Sequence, residues 1–373
     1  MDEVESQRPQ PQSNAANKHE VAEKKSQKTV LRRALLVVNF TMMIVGTAGS
    51  PLLLRLYFLK GGSRKWLSSW LQTGGCPVIL LPLAVSYCYR RGRDPSARPF
   101  LITLPLLLAC AALGVVTGLD DFLYAYGMSY LPVSTSSLLV STQLGFTALF
   151  AFLLVKQRFT SYAINAVALL MFGAVVLGIH SSGDRPEGES RGQYYAGFVM
   201  TLGAAALYGL LLPLVELTYA KAKQKITYTL VMEMQLVMGF FATLFCTVAM
   251  LVNKDFQAIP REAKLFELGE TTYYLLLVFS AIMWQFFFLG TIGAIFYASA
   301  LLAGVLMAVL IPVTEVLAVV FFHESFNGGK GIALALSLWG FASYFYGEWK
   351  QERKRKRNKS LVPAEPSLVN STN

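Results

Sequence analysis

Ten long apolar runs constrain this chain more than any other feature of its sequence. Each is close to the roughly 20 residues that an α-helix needs to cross a bilayer, and the chain is 54% hydrophobic and 15% charged, whereas a soluble domain carries about 25% charged residues. The sequence therefore predicts an all-α integral membrane protein with ten transmembrane helices. The predicted spans are Ala34–Phe58, Trp66–Cys88, Thr103–Met128, Val133–Val155, Ser161–His180, Gln193–Tyr219, Thr227–Leu251, Thr271–Tyr297, Leu302–His323 and Lys330–Gly347.

Basic residues are concentrated beside the membrane segments. "KKSQKTVLRR" at 24–33 and "KRKRNK" at 354–359 directly flank apolar runs, where Lys and Arg fix orientation and meet anionic headgroups. The net charge of +11 therefore indicates contact with the lipid bilayer rather than with nucleic acid. The positive-inside rule places both termini in the cytosol. The predicted segments are a disordered cytosolic tail (1–30), a first five-helix half (31–180), an extracytosolic loop (181–192), a second five-helix half (193–348) and a basic cytosolic tail (349–373).

Short matches between the two halves indicate an internal repeat. "KQRFT" from Lys156 follows the fourth predicted span and "HESFN" from His323 closes the ninth, while "FLYAYG" ending at Gly127 resembles "FLGTIG" ending at Gly293. A half with five spans is an odd number of crossings, so the second copy is inverted. Inverted repeats are typical of secondary transporters, whose substrate site lies between the halves near the membrane midplane.

Two adjacent acids interrupt the third predicted span, in "TGLDDFLYAYG". A carboxylate at that depth persists only where it faces protein, water or a ligand. Neighbouring helical residues point about 100° apart; Asp121 shares its stripe with Gly114 and Gly118, whereas Asp120 lies nearer Tyr124. We therefore expect Asp120 to face a cavity and Asp121 a helix interface. The alternative is a buried pair that neighbouring hydroxyl groups cap, without substrate contact.

A planar nitrogen heterocycle is bound by aromatic rings together with a few fixed polar groups. The predicted substrate-binding residues are the aromatic, amide and acidic side chains within spans: Trp70, Gln72, Asp120, Tyr124, Gln143, Tyr208, Glu233, Gln235, Trp284 and Glu315. Each aromatic residue is alternatively a packing or lipid-facing residue. Desolvation favours the neutral form of a buried carboxyl group, so Asp120, Glu233 and Glu315 are candidates for proton coupling.

Missing residues exclude other classes of function. The predicted spans contain essentially no Lys or Arg apart from Arg55, which can snorkel to the membrane surface. Phosphorylated substrates need buried cations, so neutral or cationic substrates fit better. No phosphate-binding GxxxxGK[ST] motif is present, and the sequence predicts no metal site, cofactor or catalytic centre. A multi-span receptor remains the alternative from another class, and oligomeric state is not predicted.

Several long motifs resemble the plant purine permease family of the drug/metabolite transporter superfamily. They are "WLQTGGCP" (70–77), "TGLDDFLYAYG" (117–127), "YLPVSTSSLLVSTQLGFTALFAFLLVKQRFT" (130–160), "MEMQLVM" (232–238) and "IPVTEVLAVVFFHESFNGGKGIALALSLWGFASYFYGE" (311–348). The resemblance implies ten helices in two inverted five-helix halves and proton-coupled transport of adenine-like bases, cytokinins and related heterocycles. Some relatives carry alkaloids or vitamin B6 forms instead, which remain alternatives.

One position departs from the family that the chain resembles. That family usually has Asp-Asn where this chain has Asp120-Asp121, and an ionised carboxylate only accepts hydrogen bonds, whereas an amide also donates them. Substrate preference inferred from the resemblance is therefore least secure at Asp121. The expected location is the plasma membrane, with an internal membrane as the alternative.

Overall fold

The computed structural model describes residues 12–156, 161–179, 190–297, 300–323 and 326–361. The described part consists of α-helices and one short 3-10 turn. They are α1 Gln12–Leu59, α2 Lys65–Gly74, the 3-10 turn Cys76–Ile79, α3 Leu80–Arg93, α4 Leu104–Tyr130, α5 Val133–Val140, α6 Gln143–Val155, α7 Ser161–Ile179, α8 Arg191–Lys221, α9 Tyr228–Val252, α10 Asp255–Leu265, α11 Glu270–Tyr297, α12 Ala300–Phe322 and α13 Gly328–Leu361.

Helices occupy all ten predicted span positions. Among the described residues, seven segments are long and apolar enough to cross a membrane: Arg32–Leu59, Lys65–Arg93, Leu104–Tyr130, Val133–Val155, Arg191–Lys221, Tyr228–Val252 and Glu270–Tyr297. Large apolar side chains such as Leu81, Val85 and Phe240 are exposed on their outer faces, as lipid contact requires. The all-α membrane architecture is confirmed, and the inverted ten-helix arrangement remains a prediction.

The segments predicted to lie outside the membrane are described only in part. α1 begins at Gln12, so part of the stretch predicted as a disordered tail is helical, in keeping with its many Ala, Glu and Lys residues. Residues 1–11, most of the predicted loop 181–192 and the end of the tail at 362–373 lie outside the described residues.

Two of the predicted spans are each broken near the middle. In the second span, α2 ends at Gly74 and a 3-10 turn containing Pro77 precedes α3. In the fourth, the hydroxyl groups of Ser141 and Thr142 donate to the carbonyls of Leu138 and Leu139 where α5 gives way to α6. Discontinuous helices of this kind form substrate sites in transporters, because their interrupted backbone lines a cavity rather than lipid.

Two hydrogen bonds link segments that connect different helices at the ends of the bundle. Glu262 of α10 accepts from the backbone N–H of Ser63 at 3.1 Å, which joins the segment after α1 to the segment after α9. Glu233, near the start of α9, accepts from the backbone N–H of Leu101 at 2.7 Å, which joins the segments before α4 and α9. An even number of predicted spans separates the two segments of each pair, as the predicted topology requires.

We expect the α7–α8 connection to face the outside and the end of α13 to face the cytosol. Ser190 directly precedes α8, and Ser360 lies in the last turn of α13. In a Cys88→Ser background, which removes the one exposed thiol among the four free cysteines, Ser190→Cys should react with an impermeant maleimide on intact cells. Ser360→Cys should react only after permeabilisation. The opposite labelling pattern would refute this orientation.

Candidate functional site

A cavity of about 100 Å³ lies between helices from both halves of the chain. α1, α2, α4, α5 and α6 contribute from the first half, and α8, α11 and α12 from the second. Six of the ten residues predicted to bind substrate line it, namely Gln72, Asp120, Tyr124, Gln143, Tyr208 and Trp284. The structure therefore brings most of the predicted set into one place between the two halves.

Both acids of α4 line this cavity. Asp120 and Asp121 are only 6% and 2% exposed, and Oδ1 of Asp120 and Oδ2 of Asp121 have no hydrogen-bond partner within the described ranges. The backbone carbonyl of Asp121 accepts from Gln72 Nε2 at 2.9 Å and from Ser69 Oγ at 3.4 Å. Asp121 therefore lies at the interface with α2, as expected, and it also lines the cavity.

Aromatic rings form one wall of the cavity. The rings of Tyr124 and Trp284 meet edge to face at 5.8 Å, and those of Trp284 and Phe287 at 5.4 Å. Tyr208 packs against Phe287 with a ring separation of 5.8 Å. Phe287 and its neighbour Phe288 also line the cavity, and the sequence analysis did not select them, because two phenylalanines in an apolar run give no signal beyond core packing.

Two amide side chains stand beside the helix breaks. Gln72 lies just before the end of α2, and Gln143 is the first residue of α6. Gln72 donates to Asp121, whereas the hydrogen bond that Gln143 makes through Nε2 is to the thioether of Met307 at 3.7 Å. A thioether is a weak acceptor. The Gln143 amide is therefore available to exchange this contact for a better hydrogen bond to a ligand.

Three other predicted residues are not found among the described residues that line the cavity. Trp70 donates from Nε1 to Thr247 Oγ1 at 3.0 Å, on the other side of α2. Gln235 is buried in α9, which contributes no residue to the cavity. Glu315 belongs to α12, but its side chain is outside the described part of the structure.

Two charged residues are held by backbone groups rather than by a ligand. Glu233 accepts from the N–H groups of Leu101 and Ile102 at 2.7 and 2.9 Å, so it ties α9 to the segment that leads into α4 and lies away from the cavity. Arg55 is only 6% exposed and donates to the carbonyl of Met128 at 3.1 Å. The interpretation of Arg55 as a snorkelling residue is therefore wrong, since the C-terminal end of α4 supplies an acceptor inside the protein.

Comparison with known proteins identifies the family. A family described as purine nucleobase transmembrane transport matches residues 34–354. This chain belongs to that family. Purine permease 3 of Arabidopsis thaliana is 50% identical over 328 residues, covering 87% of this chain and 93% of the relative. Purine permease 2 of the same plant is 50% identical over 340 residues, covering 87% and 95%. Probable purine permease 5 is 38% identical over 313 residues, covering 84% and 85%.

Family membership confirms the resemblance seen in the sequence motifs. The chain is a multi-pass integral membrane protein and a purine transporter rather than an enzyme. Its substrate is a small heterocycle.

Proposed function

We propose that this protein moves adenine-like bases, cytokinins and related planar nitrogen heterocycles across the membrane together with protons. Substrate binds in the cavity beside Asp120. The observation that carries this proposal is the combination, in one buried space, of two carboxylates that lack hydrogen-bond partners in the described structure with a wall of aromatic rings. A purine offers N–H donors at its edge and a flat π face, which match these two features.

Proton coupling follows from the charges in the cavity. No Lys, Arg or His is among its described lining residues, so nothing basic in that lining offsets the two acids. Burying an unpaired carboxylate is unfavourable, and the group instead takes up a proton. Of the three predicted proton carriers, Asp120 alone has a described side chain that lines the cavity. Glu233 lies outside the cavity, where its Oε2 accepts from two backbone N–H groups, and Glu315 stays a prediction from the sequence.

Helix packing supports two inverted five-helix halves. α1 packs against α11, and α4 packs against α8. If the halves are matched span for span, α1 corresponds to α8 and α4 to α11, so each of these contacts is the repeat of the other. Gly127 and Gly293, which the sequence repeat matches, both sit at close crossings: an added Cβ would overlap Thr201 Oγ1 in one case and Asn39 Oδ1 in the other. Such halves can rock about a central site.

Uptake into proteoliposomes tests the proposed function. Labelled adenine should accumulate above its external concentration when the lumen is alkaline relative to the outside, and an uncoupler should abolish this accumulation. Binding without accumulation would favour the receptor alternative. Preferential accumulation of an alkaloid or a vitamin B6 form would favour those substrates, and accumulation unaffected by the uncoupler would refute proton coupling.

Phosphorylated purines should compete poorly with adenine. AMP carries a phosphate group that needs buried cations or an array of donors, and the described lining of the cavity contains no cationic side chain. We therefore expect an excess of unlabelled AMP to leave labelled adenine uptake nearly unchanged, while the same excess of unlabelled adenine abolishes it. Equal inhibition by the two compounds would contradict the substrate charge inferred from the lining.

A further inference from the structure

The indole N–H of Trp284 is a buried donor without an acceptor. Trp284 lines the cavity and is 5% exposed, and its Nε1 has no hydrogen-bond partner in the part of the chain that the structure describes. Trp70 provides the contrast, because its Nε1 donates to Thr247 at 3.0 Å. Buried donors are almost always satisfied, so an orphaned one at the wall of a substrate cavity indicates that the substrate supplies its acceptor.

Neighbouring rings fix the direction of this donor. The Trp284 ring stands nearly perpendicular to Tyr124, at 82°, and to Phe287, at 88°. Phe288 packs on it with a ring separation of 6.1 Å. Contacts with three rings restrict rotation of the indole, so its N–H is held in place before a ligand arrives. A preorganised donor discriminates between ligands better than a flexible one.

We propose that Trp284 donates its indole N–H to an unprotonated ring nitrogen of the purine, while Asp120 accepts an N–H group of the same molecule. This inference rests on the proposed function and adds a determinant of specificity to it. Among the described residues that line the cavity, the fully buried side-chain atoms without a partner are two acceptors, Asp120 Oδ1 and Asp121 Oδ2, and one donor, Trp284 Nε1. An indole N–H only donates, so a ligand that lacks an acceptor at the matching position leaves this donor unsatisfied.

A substrate series combined with one substitution tests the role of Trp284. Unlabelled adenine, 1-deazaadenine, 3-deazaadenine and 7-deazaadenine, each analogue lacking one ring acceptor, compete with labelled adenine for uptake. In the wild-type protein, the analogue that lacks the contacted nitrogen should compete roughly tenfold less well than adenine, because a buried hydrogen bond is lost. In Trp284→Phe, the affinity for adenine should fall by a similar factor. The analogue that lacks the contacted nitrogen should then compete as well as adenine does.

Trp70→Phe is the matched control. It removes an indole N–H that Thr247 already satisfies outside the cavity, so it should leave the ranking of the four purines unchanged. If Trp284→Phe does not reach the membrane, the same series is run with 3-(benzothiophen-3-yl)alanine at position 284, which keeps the shape of tryptophan and lacks the N–H.

The experiment distinguishes failure of the proposed function from failure of the role given to Trp284. If the wild-type protein does not accumulate adenine, the proposed function is wrong. If it accumulates adenine but all three analogues compete as well as adenine does, or if the variants lacking the N–H keep the wild-type ranking, only the role of Trp284 is overturned.

Discussion

Asp120→Asn is expected to reduce purine uptake by about one to two orders of magnitude while leaving the protein folded at the membrane. The Asp120 side chain lines the cavity, and its Oδ1 lacks a partner among the described residues, so little of the protein's own structure depends on its charge. The amide oxygen still accepts, but it lacks the negative charge that makes a buried hydrogen bond worth about 1.5–3 kcal/mol. The amide also cannot carry a proton, so the remaining uptake should no longer respond to a pH gradient. Uptake normalised to surface expression measures both effects.

Asp121→Asn is the matched control for that prediction. The hydrogen bonds from Gln72 and Ser69 go to the backbone carbonyl of Asp121, and the substitution leaves that group in place. We expect Asp121→Asn to keep substantial uptake and to shift preference among heterocycles, because the new amide can donate as well as accept. An inactive Asp121→Asn beside an active Asp120→Asn would reverse the roles of the two acids.

Hydropathy made the helices and much of the cavity predictable. A run of about 20 apolar residues has to satisfy its own backbone in lipid, so it is a helix in almost any context. The same reasoning makes a polar residue inside such a run conspicuous, since it needs a partner or a ligand. Asp120, Gln72 and Gln143 were found in this way, and all three line the cavity.

Contacts between helices were not predictable to the same degree. The position of a residue along its span shows neither which neighbouring helix it meets nor what that helix offers. Glu233 also lies within an apolar run, yet its Oε2 accepts from two backbone N–H groups outside the cavity, and only its Oε1 lacks a partner among the described residues. Trp70 and Trp284 are both tryptophans in spans, but within the described part of the chain Trp70 donates to Thr247, whereas Trp284 has no acceptor. The breaks in the second and fourth spans were missed because the apolar residues on either side of Gly74, Pro77, Ser141 and Thr142 still add up to a run long enough to cross the membrane.

Gly46→Ala is expected to destabilise the protein through the crossing of α1 and α11. A Cβ at this position would lie 2.6 Å from Cα and 2.7 Å from Cβ of Phe287, closer than real carbon atoms approach. The contact is with backbone, which cannot rotate away, so the two helices have to separate. Overpacking of this kind costs about 1–3 kcal/mol. Since Phe287 also lines the cavity, substrate binding should weaken along with stability.

The control for this prediction lies one turn further along the same helix. At Gly49 an added Cβ would meet only Met283 Sδ, at an ordinary 3.6 Å, and alanine is favoured over glycine in a helix by up to about 1 kcal/mol. Gly49→Ala should therefore keep or raise the midpoint of thermal unfolding in detergent, whereas Gly46→Ala lowers it by several degrees. Saturating adenine should raise the midpoint of the wild type and of Gly49→Ala more than that of Gly46→Ala. Equal midpoints for the two variants would show that α1 and α11 do not approach at Gly46 as closely as the structure places them.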